Sequence, residues 1–347
     1  MTTPSVITQS MIPQAMIDLY DRFTHHDLDR RALMTGLTRL AGSAAAAAAL
    51  LPLIEASASA ASLTPDNDPR VVSEMLEWPG ANGHVMRGYH VRPANTSKRL
   101  PAIMVIHENR GLNAHTKDVA RRMALEGFDV LAPDFLSPAG GTPVAADTTP
   151  EAISAAEDKA RAMIGALDRP ATVADAVATL AFHKGLKTTT GKAGAVGFCW
   201  GGGMVNALAI AAGDALKAGV AYYGPVPADL TQVAKIKAAM LLHYAGLDER
   251  INAGIPGYEA ALKAAGVTYA AFVYDGVNHA FNNDTSAARY NKAAADLAWA
   301  RTVDRKSTRR GHERDVHDAY VARVLVVDID TLFPYTTLFR SRSEERR

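Results

Sequence analysis

An α/β fold is expected, with a mostly parallel central sheet, helices on both of its faces and an antiparallel hairpin at its start. Three observations predict it. Eight short apolar runs recur between residues 66 and 304 of the 347-residue chain. From Ala102 onward these runs alternate with longer stretches of helical periodicity, the pattern of βαβ units and a parallel sheet. The first two runs are separated only by Gly80-Ala81-Asn82-Gly83, a turn sequence that suits an antiparallel pair.

Taken in order, the strands are expected at Ser73–Pro79, His84–Val91, Ala102–His107, Phe128–Ala132, Ala193–Phe198, Gly219–Tyr223, Ala239–Tyr244 and Tyr269–Tyr274. Each is short, apolar and bounded by turn residues. Helices are expected at Thr116–Glu126, Pro150–Ile164, Ala171–His183, Gly201–Ala212, Ile255–Ala265 and Ser286–Val303. Thr149-Pro150-Glu151 reads as an N-cap followed by proline at the first helical position. The Pro/Gly-rich loop 133–148 is a candidate rim for a site, because loops held by a rigid scaffold carry function.

Two flanks differ from this body. Residues 1–65 read as a leader: Arg30-Arg31 precede an apolar stretch, Leu40 to Ile54, followed by Ala56-Ser57-Ala58 and Ala58-Ser59-Ala60 as small-residue cleavage sites. The pattern resembles a twin-arginine export signal with a long n-region. It implies a periplasmic or exported protein, with the export machinery as a partner. The apolar stretch is short of the ~20 residues that span a bilayer, so stable membrane anchoring is not expected. The alternative is an Ala-rich N-terminal helix on a cytoplasmic protein. Residues 305–347 are basic, with ten Lys/Arg against seven Asp/Glu. Within them Thr331–Ser341 (TLFPYTTLFRS) reads as translated sequencing-adapter DNA, so the tail is set apart from the fold. The alternative is a genuine basic extension that binds a partner.

The formal net charge of +1 gives no field that would draw nucleic acid. One cysteine excludes an intramolecular disulfide and any multi-cysteine metal centre, and no metal or organic cofactor is expected. A lone cysteine is usually a small buried hydrophobe, so its surroundings must carry any chemical role.

Those surroundings are Gly197-Phe198-Cys199-Trp200-Gly201, with Gly202-Gly203 following. A G-x-S-x-G turn with cysteine at the serine position places a nucleophile at the apex of a sharp strand-to-helix bend. Side chains two positions before and after the apex would collide, which glycine avoids. The thiol then sits at a helix N-terminus, where free N–H groups and the dipole favour a thiolate and an oxyanion. The Trp200 N–H is a candidate oxyanion donor. The bland alternative is an inert cysteine in a βα turn.

Two further residues complete the chemistry. In the α/β-hydrolase arrangement an acid and then a histidine follow the nucleophile, each on a loop just past a strand. Asp248 follows the run ending at Tyr244, and His279 follows the run ending at Tyr274. Histidine would take the thiol proton, and the carboxylate would fix its tautomer. Asp248 could instead be a turn residue, and Glu249 is a rival for the acid role.

These residues resemble the dienelactone hydrolase (carboxymethylenebutenolidase) family over about residues 70–303. The likeness is most specific at Val105 to Leu112 (VIHENRGL), at Asp118 to Arg122 with Ala132-Pro133-Asp134, and at GFCWGGG. The resemblance implies an α/β-hydrolase fold, a cysteine nucleophile and a small ester or lactone substrate. It implies that Glu108 contacts the resting cysteine and helps form the thiolate. A carboxylate beside a thiol raises the thiol's pKa, so Glu108 is expected to act as a proton acceptor. The Asn109 N–H becomes the second oxyanion donor. Family members that act on dienelactone carry an arginine four residues after the histidine; Asn283 stands here, so dienelactone itself is in doubt. Arg110 could supply the missing charge. Trp200, Tyr223, Phe281 and Asn283 are candidates to line the substrate pocket; the alternative for the three aromatics is a place in the core. Readings outside this one are a non-catalytic binding or scaffold member of the fold, and a related acyltransferase or thioesterase.

Overall fold

The β-propensity of the eight apolar runs is satisfied in one sheet. A computed structural model describes residues 12–25, 28–55 and 63–303. The strands are β1 (Val71–Pro79), β2 (Val85–Pro93), β3 (Leu100–Ile106), β4 (Asp129–Asp134), β5 (Thr189–Phe198), β6 (Ala218–Tyr222), β7 (Ala239–Ala245) and β8 (Tyr269–Tyr274). They lie in the order β1-β2-β4-β3-β5-β6-β7-β8. The β1–β2 hairpin is antiparallel, as its turn sequence predicts, and β2 pairs antiparallel with β4. Every later pairing is parallel. Strands covered on both faces read as continuous apolar runs rather than alternating ones; β4, β6 and most of β3 and β5 are buried along their length.

Seven helices surround this sheet: α4 (Ala114–Leu125), α5 (Pro150–Gly165), α6 (Arg169–Gly185), α7 (Trp200–Ala212), α8 (Glu249–Asn252), α9 (Ile255–Ala264) and α10 (Lys292–Val303). One face packs on α4 and α10 through Val119, Met123, Ala294 and Ala298. The other packs on α6, α7 and α9 through Leu180, Val205, Leu208 and Tyr258. Thr149 caps α5 through a bond from the Ala152 N–H, with Pro150 in the first turn. α10 starts six residues later than its periodicity suggests, because the Asn291 side chain accepts from the Ala294 N–H and caps it there.

The stretch that reads as a leader is folded where it is described. It forms α1 (Gln14–Thr24), α2 (Arg30–Ala41) and α3 (Ala44–Glu55). Asp29 caps α2, and Gly42, in the left-handed region, ends it. That turn interrupts the apolar stretch. No single described helix is long and apolar enough to cross a membrane. Tyr20, Leu33, Leu37 and Ile54 are fully buried in a cluster that includes Ala288 of the body. Each such burial is worth about 2 kcal/mol, enough to dock the segment rather than leave it trailing. The two small-residue cleavage sites and the tail 305–347 lie outside the described residues.

Candidate active site

β5 carries Cys199 to the carboxyl edge of the sheet and turns at once into α7. Cys199 holds φ 55 and ψ −118, a conformation a non-glycine residue adopts only under constraint. The flanking glycines allow it. A Cβ on Gly197 would lie 2.2 Å from the Gly201 carbonyl oxygen, and one on Gly201 would lie 2.4 Å from that of Ile106. The thiol is thus fixed at a helix N-terminus with 4% of the residue exposed. Trp200 opens α7, so its N–H is one that a helix leaves without an intrahelical acceptor.

β7 and β8 lie beyond β6 from β5 and run parallel to it, so they end on the same edge of the sheet. Asp248 follows β7 and caps α8, its Oδ1 accepting from the Ile251 N–H. Its Oδ2 lies 2.5 Å from His279 Nδ1, on the loop after β8. Glu249 points to solvent, so the rivalry for the acid role is decided by which side chain the α8 turn directs inward. His279 Nε2 is buried and has no hydrogen-bond partner. A His279 ring nitrogen and the Cys199 sulfur lie within 4.8 Å of each other.

The charges in this cluster are mutually stabilised. Burial pushes the Cys199 thiol up, but the His279 and His25 imidazoles outweigh it and bring it down to about 6. Burial disfavours charge on His279, yet the carboxylate of Asp21, the Cys199 sulfur and Asp248 hold it well above the ordinary histidine range. Burial also opposes charge on Asp248, and His279 overrides it to hold the carboxyl below its ordinary value. A thiolate–imidazolium pair backed by a carboxylate is the state these shifts favour.

Glu108 is buried in the site wall, but the hydrogen-bond partner of the thiol is His25. The Glu108 carboxylate accepts from the Tyr223 hydroxyl at 3.3 Å and from the Asn283 amide at 2.8 Å. Burial raises its pKa, while His115, Arg110 and Arg289 outweigh that and keep it ionised. Asn283 is fully buried and spends its amide on this bond, so it faces Glu108 and not a substrate. Arg110 is likewise turned inward, towards Tyr20 and Glu157. Phe281 packs among Tyr222, Tyr223 and Tyr274 in the core. Tyr223 is buried with its ring 4.9 Å from that of His279. Asn109 and Trp200, expected as oxyanion donors, line a cavity of about 290 Å³ that reaches Cys199, whereas Arg110, Tyr223, Phe281 and Asn283 are not in its lining. Trp200 is set there by stacking on His107 at 5.2 Å.

Sequence reasoning missed the residue that touches the sulfur. His25 Nε2 lies 3.3 Å from Cys199 Sγ, brought there by α1. The Asn109 side chain donates to the Thr24 carbonyl, and Arg289 to Asp21 on the same helix. Arg169 and Arg250 also line the cavity. Nothing in the local sequence marks His25, since a histidine in a leader-like stretch has no motif around it.

A strained strand-to-helix turn at Cys199, an acid and a histidine on successive strand ends, and this strand order define an α/β-hydrolase fold. The chain belongs to the dienelactone hydrolase family, whose sequence model matches residues 86–305. Two relatives, each named "Putative carboxymethylenebutenolidase", illustrate the similarity. That of Escherichia coli is 30% identical over 72% of this chain and 92% of its own. That of Methylorubrum extorquens is 32% identical over 63% of this chain and 76% of its own. Among solved structures, a dienelactone hydrolase-like promiscuous phosphotriesterase from metagenomic libraries shares the fold, with a TM-score of 0.58 at 21% identity. It aligns over 67% of this chain and 96% of its own. The protein is therefore a hydrolase acting on a small molecule.

Proposed function

We propose that the protein cleaves a carboxylic ester or lactone through an acyl-enzyme on Cys199. The observation that carries the reading is the strained Cys199 turn facing an imidazole that Asp248 holds at 2.5 Å. In the first step the thiolate sulfur attacks the acyl carbon, and the carbonyl oxygen becomes an oxyanion. Backbone N–H groups of Trp200 and Asn109 are the donors that would receive it. The imidazolium of His279 gives its proton to the departing alkoxide. A water, deprotonated by the then neutral His279, releases the acid and restores the thiol. Glu108 in this scheme shapes the wall through Tyr223 and Asn283. To act as a proton acceptor for the sulfur, as the resemblance implies, its carboxylate would exchange the bonds to Tyr223 and Asn283 for one to Cys199.

A cavity of about 290 Å³ suits a compact substrate, and the Asn283 amide is engaged with Glu108 rather than with a substrate carboxylate. Arg169 and Arg250 are the cations that line the opening. Replacing Cys199 with alanine should lower kcat/KM for a p-nitrophenyl ester by a factor on the order of 10⁴ or more while circular dichroism stays unchanged. Hydrolysis at the unsubstituted rate in that variant would overturn the proposal.

A further inference from the structure

Cys199 sits between two imidazoles. Its sulfur and a ring nitrogen from each of His25 and His279 lie within 4.8 Å of one another. The two rings meet edge to face with centroids 4.6 Å apart. Each has its Nδ1 committed. His279 Nδ1 faces Asp248 Oδ2 at 2.5 Å, and His25 Nδ1 faces the Asp21 backbone carbonyl at 2.7 Å. A carboxylate and a carbonyl only accept, so Nδ1 carries the proton and each neutral ring keeps its lone pair on Nε2. His279 Nε2 is an orphan, in a residue only 3% exposed.

We propose that His25, Cys199 and His279 bind a soft divalent cation, zinc by preference, which blocks the thiol. One sulfur and two imidazole nitrogens are a zinc-type donor set, whereas magnesium and calcium require oxygen. Bonds of about 2.3 Å to sulfur and about 2.0 Å to nitrogen separate neighbouring tetrahedral donors by about 3.5 Å. His25 Nε2 and Cys199 Sγ already stand 3.3 Å apart. A carboxylate behind one ring and a carbonyl behind the other are the supports that orient metal-bound histidines. The cavity lined by His25 and Cys199 would leave room for a water as the fourth ligand. Among the described residues, the group of His90, Asp129 and His183 lacks this form: both histidines direct Nε2 at Asp129 Oδ1, at 2.9 and 2.8 Å, so the nitrogens that converge there carry protons rather than free lone pairs.

Binding is a ligand exchange without oxidation or reduction. The thiol and His279 share one proton, and the cation displaces it to the buffer as it takes the sulfur and Nε2 lone pairs. The inhibitory consequence rests on Cys199 being the nucleophile; the binding itself does not.

The test uses the full chain. Zinc chloride is titrated calorimetrically in two buffers of different ionisation enthalpy, and cobalt(II) is followed by absorption. One ion per chain, about one proton released and a thiolate-to-cobalt charge-transfer band are expected. Ester hydrolysis should be lost with zinc and restored by a chelator. His25→Ala should weaken zinc binding at least tenfold, and Cys199→Ala should abolish the band. Absence of stoichiometric binding, or equal affinity in both variants and the parent, overturns the site. If Cys199→Ala still hydrolyses esters, the nucleophile assignment fails while the metal measurements stand independently.

Discussion

At the scale of single residues, the site is a contest between burial and charge. A thiol with 4% of its residue exposed should resist ionisation, yet two imidazoles bring it down to about 6. The sign follows from the group being an acid whose pKa falls: the thiolate is present above about pH 6 and lost below it. His279 is held high, so the ion pair persists from that point up to the imidazolium's own titration. The alkylation rate of Cys199 by iodoacetamide should therefore rise between about pH 5 and pH 7 and then level off. An unassisted thiol would climb through about pH 8.5 instead. A rate still climbing at pH 8.5 would show that the imidazoles do not stabilise the thiolate. Glu108 teaches the opposite lesson. Its charge is balanced by His115, Arg110 and Arg289, and its oxygens are occupied by Tyr223 and Asn283.

At the scale of elements, the strand-to-helix turn holds the strain that sets the sulfur at the sheet edge beside His25 and His279. Its glycines are required by contact and not by flexibility alone. A methyl group on Gly201 would meet the carbonyl oxygens of Ile106 at 2.4 Å and His107 at 2.5 Å, both in backbone that cannot rotate away. Gly201→Ala should destabilise the protein by about 1–3 kcal/mol, through β3 as much as through α7. A urea midpoint unchanged from the parent would refute that coupling. The late start of α10 shows a second rule at this scale: an asparagine cap at Asn291 outranks continued apolar periodicity at Ser286 to Tyr290.

For the whole molecule, the N-terminal helices change what the site is. α1 brings His25 to the sulfur and closes one side of the cavity, so the described chain has a site assembled from both ends. We propose, from Arg30-Arg31 and the A-x-A sites, that the chain is exported and cleaved. N-terminal sequencing of protein recovered from the periplasm should then begin at Ser59 or Ala61. Such a chain would lack α1 and its histidine, and with them one ligand of the proposed cation site. Recovery of an intact N-terminus only, from the cytoplasm, would rule export out and leave the three helices as a permanent wall.

The sheet was legible in sequence because burial on both faces forces continuous apolar runs, and all eight strands and the six helices assigned to the body stand close to where their periodicity puts them, apart from the first six residues expected of α10. Cys199, Asp248 and His279 were legible because a strained turn demands glycines and because each βα unit returns the chain to one edge. Local sequence determined that much. Tertiary structure alone decided which carboxylate faced inward at Asp248-Glu249, that Asn283 and Arg110 are spent within the protein, and that His25 arrives beside the sulfur. Those outcomes depend on contacts between residues up to 175 positions apart, and spacing along a chain carries no record of such distances.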